Sequence, residues 1–211
     1  MAVLACKIKT DPDQPVAIEI VLPDSGRVEL TDTFRPRGHA LNGLGDSVQA
    51  DLVWSSLDTT LAVLDSSTGI SLATAVGTAR LQARTGNLFS NPQTVTIREH
   101  LDSLRAASAT RDTVSAPDSL SDSLTVQAYA TGGVPQGRRV VYAFTIFPDI
   151  SSVVTLVPND TVFTSSGLAA TRVRLTGSTV PDSVVVTATM RKFHGDSLPG
   201  SPVIFVVEIK P

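Results

Sequence analysis

The chain has 211 residues, 42% hydrophobic and 18% charged, with a formal net charge of −3. That composition excludes a disordered chain and gives enough apolar material for one large or two modest cores. Residues 1–98 carry eight basic and ten acidic side chains, and residues 99–211 carry nine and ten. Neither half has the basic excess that a phosphate backbone demands, so no nucleic-acid partner is expected.

At the N-terminus, Met1-Ala-Val-Leu-Ala-Cys6 resembles the end of a lipoprotein signal peptide, where small residues precede a cysteine that becomes lipidated. The resemblance implies lipid attachment at Cys6. Residues 1–15 would then be a tether, with the polar stretch Lys7–Pro15 following the anchor and reaching the membrane surface through the lipid. The other reading of the same residues is an unpaired terminal thiol. Cys6 is the sole cysteine, so no intrachain disulfide can form.

From Val16 onward the pattern is that of strands. Val16, Ile18, Ile20 and Leu22 alternate with Ala17, Glu19 and Val21, the period of a half-buried strand. A Pro-Asp-Ser-Gly turn (Pro23–Gly26) leads to a second strand over Arg27–Phe34. Ala50–Ser56, Leu61–Leu64, Ile70–Ala73, Thr78–Arg84 and Thr94–Arg98 bring the total to about seven strands, the number an immunoglobulin-like sandwich needs. The run from Trp54 to Arg84 resembles the bacterial immunoglobulin-like domains of invasins and intimins. Its matching pieces are Trp54-Ser55-Ser56, Asp58, Ala62, Leu64-Asp65, Gly69 and Gly77-Thr78-Ala79-Arg80-Leu81-Gln82-Ala83. The resemblance implies that Trp54 fills the inter-sheet core and that Gly69 and Gly77 supply turn conformations.

The second half resembles a related invasin-type module through Thr131–Phe144, Ser165–Leu175 and Pro181–Met190. Leu101–Ala109 reads as linker and first strand, Thr110–Asp122 as a long loop or edge segment, and Phe147–Asp160 as an insertion. The expectation is an all-β chain of two tandem immunoglobulin-like β-sandwiches over 16–98 and 99–211, with Trp54, Tyr142, Phe144 and Phe205 in the cores.

Chemistry is sparse. His39, His100 and His194 have no second histidine or cysteine at ligand spacing, and no Gly-x-Ser-x-Gly elbow occurs. Thr131-Gly132-Gly133 lies between strands rather than before a helix. The recurrent Asp-Ser pairs at Asp46, Asp102, Asp118, Asp122, Asp182 and Asp196 read as turn starts rather than a calcium loop. No catalytic residue, metal or cofactor is expected.

Two strands of the second half break the one-face-apolar rule. Val141, Ala143 and Phe147 fall opposite Val140, Tyr142, Phe144 and Ile146; Ile204 and Val206 fall opposite Val203, Phe205, Val207 and Ile209; Val185 lies on a strand between. These six (Val141, Ala143, Phe147, Val185, Ile204 and Val206) form an expected partner-binding patch, unless Phe147–Asp160 or the first domain covers it. Arg172 and Arg174 share one strand face and could meet an acidic partner, although a solvated strand face is the more common explanation. The expected role is a structural, non-enzymatic extracytoplasmic subunit that docks on protein subunits of a membrane complex. A general similarity in style to an extrinsic subunit of a bacterial reaction centre–light-harvesting complex makes that its narrowest form, and places it on the periplasmic face. The alternative is a cell-surface adhesin or carbohydrate-binding module.

Overall fold

Alternating Val, Ile and Thr residues extend into strands because branched side chains pack well on a pleated, half-buried surface. The computed structural model describes residues 13–115, 120–148, 154–176 and 181–210. It is all-β, and the chain divides after Arg98 into two compact units.

In chain order the first unit has β1 (Ala17–Val21), β2 (Arg27–Glu29), β3 (Thr33–Phe34), β4 (Arg37–Leu41), β5 (Ser47–Val48) and β6 (Val53–Ser56). It continues with β7 (Leu61–Val63), β8 (Ser71–Ala73), β9 (Gly77–Thr85), β10 (Leu88–Phe89) and β11 (Gln93–Arg98). The sheets run β1-β4-β5, β10-β9-β11-β2 with β6 also on β9, and β3-β8-β7. The expected single strand over Arg27–Phe34 is two strands in two sheets. The Asp32 amide donates to the Glu29 carbonyl at 3.1 Å, and Thr31 sits at φ 68°, a conformation that ends an extended run. β2 then pairs in parallel with β11, while β3 pairs with β8.

Trp54 is buried at the centre of this unit with Phe34, Val28, Leu61, Leu81 and Val95. Its ring is packed closely by backbone. At Gly69, φ +76°, an added Cβ would stand 2.8 Å from the Pro36 ring and 2.9 Å from the indole. Only glycine combines that left-handed conformation with that approach. The invasin-like run is thus a tryptophan and the turns that seat it. Asp58 takes both Arg80 guanidinium contacts at 3.0 Å and the Arg80 amide at 2.8 Å, tying the β6–β7 connection to β9.

The second unit has β12 (His100–Ala106), β13 (Arg111–Ser115), β14 (Leu124–Thr131), β15 (Arg139–Phe147) and β16 (Val154–Val157). It ends with β17 (Thr161–Phe163), β18 (Leu168–Leu175), β19 (Ser183–Met190) and β20 (Val203–Lys210). A four-stranded sheet, β12-β14-β18-β16, packs on a five-stranded one, β13-β20-β19-β15-β17. Within Thr110–Asp122, β13 is an edge strand parallel to β20. Phe147–Asp160 is not a plain insertion: its Val154–Val157 segment pairs with β18. Val184, Val186, Ala188, Val203, Phe205 and Val207 point inward from the larger sheet. Burying each such valine contributes roughly 1.5–3 kcal/mol. Tyr142 joins the layers, since its buried hydroxyl donates to the Ala169 carbonyl of β18 at 2.8 Å. Burial pushes that phenol well above its ordinary range.

Candidate functional site

The outer face of the five-stranded sheet follows directly from strand register. Antiparallel pairing sets Val185 opposite Val206, Thr187 opposite Ile204 and Ala143, and Phe147 opposite Ser183. Residues opposite one another share a face, so all six predicted patch residues lie on this one. Ile204 is 53% exposed and Phe147 51%, while Val141, Val185 and Val206 are half-buried and Ala143 is exposed. Thr145, Thr187 and Thr189 are interleaved with them, and the Thr187 hydroxyl donates to the Ala143 carbonyl at 3.3 Å. The face is therefore a mixed valine–threonine surface with Ile204 and Phe147 as its prominent apolar points. At one margin Arg111 and Glu208 approach to 3.6 Å. Within the segment expected to cover this face, Val154–Val157 joins the opposite sheet instead; residues 149–153 lie outside the described residues.

Trp54, Tyr142 and Phe205 are 4%, 1% and 0% exposed, but Phe144 is 38% exposed and is not a core residue. It shares the inner face with Val140 and Tyr142. However, β17 flanks only Arg139–Val141, so among the described residues β15 is a sheet edge at Phe144, covered from one side. Arg172 and Arg174 are exposed on the outer face of the four-stranded sheet. The two sheets of a sandwich present opposite outer faces, so these arginines belong to a different surface from the apolar patch. The exposed Tyr129 ring lies on the same four-stranded sheet, with the Arg105 guanidinium 5.4 Å from its centre. Cys6 lies outside the described residues. His39 meets Glu19 across β1–β4 at 3.1 Å, and His100 meets the Lys192 amine at 3.1 Å. Among the described residues no helix is long and apolar enough to cross a membrane.

A cleft in the first unit was not anticipated from the sequence. It opens beside the edge of Trp54 with a volume of about 750 Å³, within the 300–1,000 Å³ range of small-ligand sites. Arg35 and Arg37 line it, as do Ser66, Ser67 and Thr68. The serine–threonine wall is held by Asp65. Its carboxylate accepts the Ser67 amide and hydroxyl at 2.8 Å each and the Thr68 hydroxyl at 2.7 Å. Those bonds, the Ser67 hydroxyl first and Thr68 next, lower the Asp65 pKa to about 2. The legible signal was Arg35-Pro36-Arg37, three residues that put two guanidinium groups on one side of an extended segment.

The chain is similar to the structure of the Yersinia pseudotuberculosis adhesin InvE, at 17% identity and TM-score 0.44, over 90% of this chain and 58% of that one. It is similar to domains 4 and 5 of the S-layer protein SbsC, at 13% identity and TM-score 0.36, over 94% of this chain and 100% of that one. It is also similar to the D0-D1 domain of Intimin, at 16% identity and TM-score 0.31, over 89% of this chain and 97% of that one. The chain thus spans 58% of the InvE structure it matches. No family model matches the chain, and no curated protein matches it. None of the three structures is a photosynthetic subunit, and the expectation of a reaction-centre complex gains no support from them.

Proposed function

We propose that this chain is a non-enzymatic, extracytoplasmic tandem immunoglobulin-like module of adhesin type. It engages a protein partner through the outer face of the second unit's five-stranded sheet. One observation carries the reading: Val141, Ala143, Phe147, Val185, Ile204 and Val206 share one face and are not spent on the core, whose needs are met from the other side of the same strands. Apolar side chains gathered on a sheet exterior mark interaction surfaces. The invasin- and intimin-like run Trp54–Arg84 supports the surface setting, and the adhesin and S-layer structures named above accord with it. A lipid on Cys6 would hold such a module at a membrane, and mass spectrometry of the native N-terminus tests that part separately.

The deciding experiment is adhesion of the purified full chain to surfaces and cells. Ile204→Glu and Phe147→Glu, at the two prominently exposed positions, should each reduce adhesion at least tenfold while changing unfolding free energy by no more than about 0.5 kcal/mol, as exposed substitutions do. Adhesion undiminished by both variants would remove the reading.

A further inference from the structure

We propose that the cleft beside Trp54 binds an acidic saccharide, with Arg35 and Arg37 receiving its carboxylate. Both guanidinium groups are exposed and line the cleft, and neither has a hydrogen-bond or ion-pair partner among the described residues. Guanidinium presents a planar fork that matches a carboxylate with two parallel hydrogen bonds. Pro36 between them is buried, which fixes the segment from which both project.

The rest of the lining decides between classes of anion. The Ser67 and Thr68 hydroxyls give their protons to Asp65, so what they offer the cleft is acceptor lone pairs. Asp51 also lines the cleft, is exposed, and has no partner among the described residues. A carboxylate and committed hydroxyls accept hydrogen bonds from sugar hydroxyls, and they repel a ligand that is anionic all round, such as phosphate. The ligand complementary to this lining carries both a carboxylate and hydroxyl donors, which describes a uronic or similarly acidic sugar. The concavity is built in. Gly38 lines it, and a Cβ there would stand 3.0 Å from both Leu52 and the Trp54 ring. The turn from Asp65 to Gly69 holds the acceptor wall before any ligand arrives, which lowers the ordering cost of binding.

The inference adds a ligand to the surface-module reading but is tested apart from it. Titration calorimetry of the full chain with a galacturonic acid tetramer should show saturable heat that weakens with salt. Arg35→Ala combined with Arg37→Ala should weaken binding at least tenfold with an unchanged thermal midpoint. Arg35→Lys with Arg37→Lys should fall between, because the charge stays and the fork is lost. Ile204→Glu should bind the tetramer as the parent does. Three results overturn the proposal: no saturable heat, binding unaltered in the double alanine variant, or equal affinity for polyglutamate or inorganic phosphate.

Discussion

The first unit hides eleven buried residues behind three small sheets, while the second hides twenty-one behind two sheets of mostly long strands, counting the described residues in each core. In the second unit, hydrophobic burial along eight- and nine-residue strands does most of the specifying. In the first, strands as short as two or three residues cannot set their own register by patterning, and local polar chemistry takes over. Asp58 clasps Arg80, Asp65 closes its own turn, and Gly69 lets the backbone lie on the indole. A small core can be specified by turns around one large aromatic ring; a larger one needs mainly alternation.

Substituting the central aromatic of each core tests this contrast most severely. Trp54→Ala should cost the first unit about 3–5 kcal/mol, and Phe205→Ala should cost the second a similar amount. Calorimetry should show the two variants lowering different transitions, and one shared transition moving equally in both would break the comparison. Gly69→Ala comes next, at about 2–4 kcal/mol in the first unit, because left-handed strain adds to overpacking against Pro36 and Trp54. Denaturant unfolding checks this, and a loss below 1 kcal/mol would show that the turn does not seat the ring. Tyr142→Phe should cost the second unit about 1–2 kcal/mol, the value of one buried hydroxyl bond between layers.

The smallest effect is in pH. Because the folded Asp65 carboxyl sits at about 2 against an ordinary 3.8, its contribution is fully present above about pH 4 and is lost as pH falls toward 2. Asp58, lowered chiefly by its Arg80 hydrogen bond, acts in the same direction. The first unit's thermal midpoint should therefore drop between pH 4 and pH 2, and drop less in Asp65→Asn. Equal slopes would assign the acid sensitivity elsewhere.

Much of the fold was legible because its signals are local. The alternation in Val184–Met190 and Val203–Ile209 appears as strands with the expected faces inward, and Trp54 with Gly69 reads as a seated ring, whereas Gly77 opens β9 away from it. β4 was not legible: Arg-Gly-His-Ala-Leu has no apolar period, and it is extended because β1 pairs with it along five residues. Which sheet takes Val154–Val157 and why Phe144 stays exposed were equally hidden, since both depend on where a neighbouring strand stops.

The amino-acid sequence by itself determined where the long strands extend, where the glycine and proline turns fall, and which side of each long strand is apolar, because those properties belong to contiguous residues and their side-chain chemistry. Only tertiary structure decided what covers each face. The outer patch of the second unit collects side chains from three strands, and the arginine-lined cleft collects them from segments as distant in sequence as Arg35 and Thr68. Exposure and concavity are created by long-range pairing, which no run of neighbouring residues encodes.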